Sequence, residues 1–153
     1  SLQMIRALAI FANGGNLVRP YLVGSVSYPD GKEKIFEPKI EQAVITPEVS
    51  SQVKAMMEAV VSPSASGYNA VVPGYRIGGK TGTAQVPDGQ GGYRTDQYNH
   101  TFIGFHSDPN SKFIILVRLR VPASQGYSAS TSAKAFAELA KKLFDYYQVA
   151  PTS

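Results

Sequence analysis

The stretch GYRIGGKTGTAQ, residues 74–85, decides between two different folds for this sequence. Gly74 and Gly79, together with Lys80 and Thr81, satisfy the G-x-x-x-x-G-K-[ST] pattern of a phosphate-binding loop. Such a loop works because a buried strand turns directly into a helix, whose N-terminal N–H groups bind phosphate. The residues after Thr81 include a proline and four glycines before residue 93, and they predict no helix. The context therefore favours an extended strand over a nucleotide-binding site.

Three segments outside this stretch have the spacing of apolar residues that is typical of helices. The first, residues 2–12, ends at Asn13-Gly14-Gly15, because glycine readily takes the left-handed conformation of a helix end. The second begins at Thr46, a capping hydroxyl followed by a proline and an acid. The third lies near the end of the chain. The predicted buried positions are Val49, Val53, Met56 and Val60 in the second helix and Phe136, Leu139, Ala140, Leu143, Phe144 and Tyr147 in the third.

The remaining apolar runs alternate with turn sequences and predict antiparallel strands. Two strands flank Pro29-Asp30-Gly31, and another starts at Tyr75 and continues through the lysine. The glycines of residues 89–92 predict a long mobile loop. Two further strands are joined by Asp108-Pro109-Asn110, and in the second of them the unbroken apolar run 113–117 predicts a central strand. The predicted fold class is α+β, with an antiparallel sheet packed against helices.

The composition predicts an ordinary folded domain and excludes several classes of function. The net charge of +4 is spread along the 153 residues and forms no basic block beside stacking aromatics, which argues against nucleic acid as a partner. Cysteine is absent, so thiol catalysis and cysteine metal sites are excluded. His100 and His106 have no suitably spaced carboxylates, and we interpret both as hydrogen-bonded structural histidines. We therefore expect no metal and no cofactor.

An extended chain through the Lys-Thr-Gly sequence would place a distinctive set of groups along one strand. Alternate side chains share a face, so Lys80, Gly82 and Ala84 point one way, whereas Thr81 and Thr83 point the other way. At a sheet edge, an ammonium group, two hydroxyls and a free Thr83 N–H can bind a carboxylate and a developing oxyanion. The alternative is a glycine-flanked exposed edge with ordinary surface residues. The residues alone leave both interpretations open.

Several segments together resemble one known family. LQMIRALAIFANGGNLVRPYLV, VPGYRIGGKTGTAQ and NHTFIGFHSDPNSKFIILVRL, followed by an amphipathic helix, are similar in order and spacing to the C-terminal half of the transpeptidase domain of class B penicillin-binding proteins. The resemblance covers essentially the whole chain. It implies a penicillin-binding-protein/serine β-lactamase-like transpeptidase fold. It also implies a serine-type D,D-transpeptidase of cell division or elongation, which cross-links peptidoglycan stem peptides through an acyl-enzyme.

The resemblance also implies roles for individual residues. Lys80 would be catalytic, by supplying positive potential and hydrogen bonds to a proton-relay serine, and the backbone N–H of Thr83 would form half of the oxyanion hole. Thr81, Gly82 and Thr83 would bind the substrate, since the hydroxyls hold a carboxylate and the glycine permits close approach. The implied partners are the D-Ala-D-Ala stem peptide, β-lactam antibiotics, the remainder of the transpeptidase domain and other cell-wall synthesis proteins. The implied location is the extracytoplasmic face of the cell membrane, with the parent protein anchored by an N-terminal transmembrane helix.

Two motifs of that family do not occur in their expected places. The family carries its nucleophile in an S-x-x-K motif and its proton relay in an S-x-N motif, both upstream of K-T-G. No S-x-N occurs here, and Ser51-Gln52-Val53-Lys54 lies on the predicted second helix, where we interpret it as part of a solvated face. We therefore expect residues 1–153 to be the incomplete C-terminal portion of one transpeptidase domain, inactive alone, with the nucleophile outside the chain. A non-catalytic binding or sensor domain of this fold and a P-loop nucleotide-binding protein are the alternatives.

Overall fold

The computed structural model describes residues 1–108, 113–121 and 126–152, and the chain divides into two units, Ser1–Ser51 and Gln52–Ser153. Helix α2 crosses the boundary between the units. Helices and antiparallel strands occur together, as the α+β prediction requires, and this fold class is confirmed. Among the described residues, no helix is both long and apolar enough to span a membrane.

The first unit contains helix α1, Leu2–Ala12, and two small antiparallel pairs of strands. Strand β1, Asn16–Arg19, pairs with β4, Lys39–Ala43, and β2, Ser25–Ser27, pairs with β3, Glu33–Ile35. The hairpin around Pro29-Asp30-Gly31 is therefore confirmed, and its turn is closed by a 2.8 Å hydrogen bond from the Tyr28 N–H to the Lys32 carbonyl. The pairing of β1 with β4 has no local signal in the sequence, because more than one element separates the two strands.

The end of α1 is confirmed at the predicted glycines. Gly15 has a φ of +100°, and a Cβ atom at this position would lie 2.1 Å from the Ile45 carbonyl oxygen. The Gly15 carbonyl in turn accepts the Val44 N–H at 2.9 Å. The left-handed Gly14, with a φ of +80°, stops the helix, and Gly15 allows the chain after β4 to pass close to it.

Helix α2, Pro47–Val60, starts as predicted, but of its predicted buried face only Val53 and Val60 are even half-buried. The Thr46 hydroxyl accepts the Val49 N–H at 3.4 Å, and its hydrogen bond with Glu48 lowers the pKa of that carboxyl. The prediction of a buried Val49 and Met56 is wrong, since their side chains are 42% and 67% exposed. The buried positions are instead Ser50 and Met57, each one residue further along. Ser50 is buried because its hydroxyl donates to the carbonyls at the end of α1, including Phe11 at 3.0 Å.

The main sheet of the second unit has three antiparallel strands in the order β5-β6-β7. Strand β5 spans Ile77–Pro87, strand β6 spans Tyr93–His106, and strand β7 spans Ile114–Arg120. Strand β6 is the central one, with Phe102 and Phe105 fully buried on its two faces. The prediction that the apolar run of β7 marks the central strand is therefore wrong for the described sheet, in which β7 pairs with β6 alone.

The glycine-rich segment after β5 forms a hairpin turn and not a long loop. The Asp88 carboxylate accepts the N–H groups of Gln90 at 2.8 Å and Gly92 at 2.9 Å, and these bonds lower its pKa. The long-loop prediction failed because one aspartate satisfies the backbone groups of the turn and lets both strands continue up to it. The other predicted turn, Asp108-Pro109-Asn110, lies largely outside the described residues.

Helix α3, Ser132–Tyr147, covers one face of this sheet. Phe102 of β6 packs against Phe136 of α3 with ring centroids 4.8 Å apart. Gly79 and Gly104 leave room for these rings, since a Cβ atom on Gly79 would lie 2.4 Å from Phe102 Cζ and one on Gly104 would lie 2.8 Å from Phe136 Cζ. Of the positions predicted to be buried in this helix, Phe136, Ala140 and Phe144 are buried, whereas Leu139 and Tyr147 are exposed.

Candidate functional site

Strand β5 is an edge strand of the described sheet, and its hydrogen-bonding phase decides which of its groups are free. Just before the β5–β6 ladder begins, the Ser107 N–H donates to the Arg76 carbonyl at 2.8 Å. Hydrogen-bonded and non-hydrogen-bonded pairs alternate along an antiparallel ladder. The pairing is regular up to Gln85, so Thr83, an odd number of residues after Arg76, belongs to a non-hydrogen-bonded pair. Its backbone N–H and C=O therefore point away from β6, towards the open edge.

Lys80 brings a positive charge to the same edge. Its side chain is exposed, and Nζ donates to the Thr81 carbonyl oxygen at 3.0 Å. This contact agrees with the alternation, because Thr81, like Thr83, has backbone groups that point to the open edge. The ammonium group therefore lies along the strand edge, close to the outward backbone N–H and C=O groups.

The Thr83 hydroxyl is held by a short 3₁₀ helix, Ser128–Ser130, which precedes α3. Thr83 Oγ1 lies 3.1 Å from Ser128 Oγ and accepts the Ser128 N–H at 3.2 Å. Ser128 is buried, whereas Thr83 is exposed. The sequence does not indicate a role for Ser128, because Thr83 lies 45 positions away and the serines around Ser128 form no recognisable motif.

His100 lies opposite Thr83 on β6 and is buried under the site. Its Nδ1 is hydrogen-bonded to the Thr131 hydroxyl at 2.8 Å, so the prediction of a hydrogen-bonded structural histidine is confirmed here. The same prediction is wrong for His106, which is also buried but whose ring nitrogens have no hydrogen-bond partner among the described residues. Aromatic rings surround His106 instead, and burial lowers its pKa.

Gly82 lies between Lys80 and the outward N–H of Thr83 and is packed against β6. The hydroxyl of Thr101, its partner in the ladder, donates to the Gly82 carbonyl at 3.2 Å. The space beside Gly82 on this face is therefore taken up by a protein side chain. Packing against Thr101 therefore explains the glycine at this position independently of the predicted close approach of a ligand.

The predicted site residues Lys80, Thr81, Gly82 and Thr83 thus form one continuous segment on an open strand edge. An ammonium group, an outward backbone N–H and threonine hydroxyls can together bind a carboxylate and stabilise an oxyanion. The phosphate-loop interpretation is wrong, because β5 continues as a strand to Pro87 and no helix N-terminus follows Thr81. In the described part of the chain, no group of three or more side chains is suited to holding a metal ion.

Comparisons with known proteins agree with this geometry. Residues 1–141 match the family model of the penicillin binding protein transpeptidase domain. Stage V sporulation protein D of Bacillus subtilis is 36% identical over 79% of this chain and 19% of its own length. Penicillin-binding protein PbpB of Mycobacterium tuberculosis is 34% identical over 91% of this chain and 22% of its own length. A Mesostigma viride protein named peptidoglycan D,D-transpeptidase FtsI homolog is 26% identical over 99% of this chain and 27% of its own length.

Solved structures are similar over nearly the whole chain. Penicillin binding protein 3 of Mycobacterium tuberculosis, complexed with ampicillin, superposes with a TM-score of 0.87 at 32% identity. The match includes 99% of this chain and 35% of the neighbour's chain. The apo transpeptidase domain of Burkholderia pseudomallei penicillin-binding protein 3 gives a TM-score of 0.79 at 30% identity. This match includes 99% of the present chain and 43% of the neighbour's chain. The chain thus spans about a fifth to a quarter of the length of the curated relatives. It belongs to the penicillin-binding protein transpeptidase domain family.

Proposed function

We propose that this chain is the C-terminal portion of the transpeptidase domain of a serine-type peptidoglycan D,D-transpeptidase and supplies its carboxylate-recognition edge. The observation that carries the proposal is the open edge of β5, where the Lys80 ammonium group and the outward Thr83 N–H occur together. The name of one relative and the ampicillin complex of one structural neighbour support the same chemistry. The remainder of the domain is a partner that this proposal requires.

The reaction transfers an acyl group between a serine and two amines. A serine outside this chain attacks the carbonyl of the penultimate D-alanine, an ester bond forms, and the terminal D-alanine leaves as a protonated amine. An amine of a second stem peptide then attacks the ester, which forms the cross-link and regenerates the serine. The outward N–H of Thr83 stabilises the oxyanion of each tetrahedral intermediate, a contribution of about 3 kcal/mol in comparable enzymes.

The other residues of the edge orient the donor peptide and activate the serine. The Thr81 and Thr83 hydroxyls donate to the terminal carboxylate, and Lys80 adds positive potential and hydrogen bonds to a proton-relay serine of the remaining domain. β-Lactams carry a carboxylate and a reactive carbonyl, so they bind the same groups and acylate the same serine. The proposed location is the extracytoplasmic face of the cell membrane, where peptidoglycan stem peptides and other cell-wall synthesis proteins are found.

The test uses the full-length protein that carries this chain and measures the second-order rate constant of acylation by benzylpenicillin and by its methyl ester. Thr81→Val and Thr83→Val each remove one hydroxyl while keeping the shape of the side chain. We expect each to slow acylation by free penicillin by about tenfold, since a hydrogen bond to a charged group is lost, and to change the ester reaction much less. Thr95→Val, at an exposed position of β6 in the same hairpin, is the matched control.

Two outcomes would contradict the proposal in different ways. Equal effects on the acid and the ester would mean that this edge does not recognise the carboxylate. A full-length protein that forms no acyl-enzyme with any β-lactam would favour the alternative of a non-catalytic binding or sensor domain with the same fold.

A further inference from the structure

We propose that Ser128 is a positioning residue that turns the hydroxyl proton of Thr83 towards a bound carboxylate. This inference rests on the proposed function, because it concerns how Thr83 binds the anionic end of the substrate or antibiotic. Ser128 does not touch the ligand in this scheme and acts only through Thr83. It lies in the 3₁₀ helix Ser128–Ser130, far from the Lys-Thr-Gly sequence along the chain.

The argument starts from the hydrogen-bonding capacity of the Thr83 hydroxyl. A hydroxyl has one proton to donate and two lone pairs to accept with. One lone pair of Thr83 Oγ1 accepts the Ser128 N–H at 3.2 Å, and the Ser128 hydroxyl oxygen lies 3.1 Å away. The bond between the two hydroxyls can run in either direction, since each hydroxyl proton rotates freely.

An anionic ligand selects one of these two directions. When a carboxylate lies at the open edge, the Ser128 hydroxyl donates to the second lone pair of Thr83, and both lone pairs are then occupied. The Thr83 proton has only the ligand side left, so it is directed at the carboxylate. The Ser128 N–H and hydroxyl together therefore make Thr83 a fixed donor to an anion.

Ser128 is itself held firmly enough for this role. Its side chain is buried, and its carbonyl accepts the Ser132 hydroxyl at 3.1 Å in the first turn of α3. Thr131, which follows the same short helix, is hydrogen-bonded to the buried His100 of β6 at 2.8 Å. The turn that carries Ser128 is thus tied both to α3 and to the strand beside β5. Holding the Thr83 hydroxyl oxygen in place before the ligand arrives reduces the entropy that is lost on binding.

The experiment measures acylation in the full-length protein with Ser128→Ala, which removes the hydroxyl and keeps the backbone N–H. We expect the second-order rate constant for benzylpenicillin to fall about fivefold, as for the loss of one hydrogen bond. The loss should appear in the concentration that gives half-maximal rate and leave the maximal acylation rate nearly unchanged, since the carboxylate is bound equally before and during acylation. Acylation by the methyl ester should not change.

The matched control is Ser130→Ala in the same 3₁₀ helix. The Ser130 hydroxyl donates to the Tyr127 carbonyl at 2.9 Å and makes no hydrogen bond with Thr83 in the described part of the chain. This variant should acylate at the normal rate with both compounds. Ser128→Gly also removes the hydroxyl and keeps the N–H, so it repeats the test if Ser128→Ala does not fold. A melting temperature for each variant separates a local effect from loss of structure.

A double-mutant cycle tests whether Ser128 acts through Thr83. In a Thr83→Val background, Ser128→Ala should cause no further loss, because the hydroxyl that it orients is gone. Equal losses for penicillin and its ester, or losses that multiply in the double variant, would overturn the inference and leave Ser128 as a structural residue. If Thr83→Val alone leaves acylation intact, the proposed carboxylate recognition fails as well, which distinguishes the two failures.

Discussion

Gly82 on β5 and Thr101 on β6 lie opposite each other, so close that a Cβ atom on Gly82 would be 2.4 Å from the Thr101 hydroxyl oxygen. We predict that Gly82→Ala destabilises the protein by about 1 kcal/mol, because the Thr101 hydroxyl must rotate and lose its hydrogen bond to the Gly82 carbonyl. Urea unfolding of the full-length protein measures this change.

The double variant Gly82→Ala/Thr101→Ala separates the two reasons for a glycine here. Removal of the Thr101 hydroxyl opens the space, since the Thr101 Cβ atom would be 3.8 Å from the added methyl carbon. We expect the double variant to be no less stable than Thr101→Ala alone. If Gly82→Ala slows β-lactam acylation and the double variant restores it, the glycine is needed for packing between strands. If acylation stays slow while stability recovers, the glycine is needed for the approach of the ligand.

Lys80→Ala is predicted to slow β-lactam acylation much more than it lowers stability. The side chain is exposed and its hydrogen bond goes to the adjacent residue, so little folding energy depends on it. If Lys80 has the proposed role, loss of its positive potential and of its hydrogen bond to the proton-relay serine should reduce the acylation rate on the order of a hundredfold. Stopped-flow acylation and thermal unfolding of the same samples compare the two effects. Lys134→Ala, an exposed lysine on α3, is the control, and an unaffected rate in Lys80→Ala would make Lys80 an ordinary surface residue.

The geometry of the site was largely predictable because it is local. The extended conformation through Lys80 follows from the lack of a helix signal after Thr81, and the alternation of side chains then places Lys80 and Thr83 on opposite faces. An open edge beside these residues was a hypothesis in the sequence, and the ladder of β5 with β6 decides it for the described sheet. Only local periodicity and turn chemistry were needed for this part.

The remaining features depend on contacts between distant residues, which no local pattern contains. Ser50 was not expected in the buried face of α2, because its burial depends on the carbonyls at the end of α1. The contact of Ser128 with Thr83 requires a turn from beyond β7 to meet the edge of β5. The central position of β6 depends on strand order, which the apolar run of β7 does not report. In each case the spacing of apolar residues gave the element but not its neighbour.

Ser51 is predicted to take no part in catalysis, although it forms an S-x-x-K string with Lys54. It is exposed on α2, whereas Lys54 is half-buried. Ser51→Ala in the full-length protein should therefore leave the rate of penicillin acylation unchanged. Mass spectrometry of peptides from the acylated wild-type protein should place the adduct on a serine outside residues 1–153. An adduct on Ser51 would show that the nucleophile had been assigned to the wrong segment.

His106 should make the stability of the protein depend on pH. Its side chain is buried and meets the rings of Tyr75 and Phe144 edge-on, with ring centroids 6.1 Å and 4.9 Å away, respectively. Neither ring nitrogen of His106 has a hydrogen-bond partner among the described residues. Burial lowers its pKa below the ordinary value of 6.5, assisted by Lys54 and Arg76 and opposed by Asp108. Between that value and the lower pKa of the folded protein, the unfolded chain takes up a proton that the folded protein does not. Stability is therefore complete above about pH 6.5 and is lost as the pH falls below it.

Two substitutions of His106 separate its charge from its unpaired nitrogens. His106→Phe should remove this part of the pH dependence and stabilise the protein by about 1 kcal/mol, since an apolar ring replaces buried polar atoms without partners. His106→Gln should also remove the pH dependence but give no such gain, because it keeps a buried polar group. Urea unfolding of the full-length variants at about pH 8 and about pH 5 measures both effects. If wild type and His106→Phe lost stability in parallel on acidification, another group would be responsible for the titration.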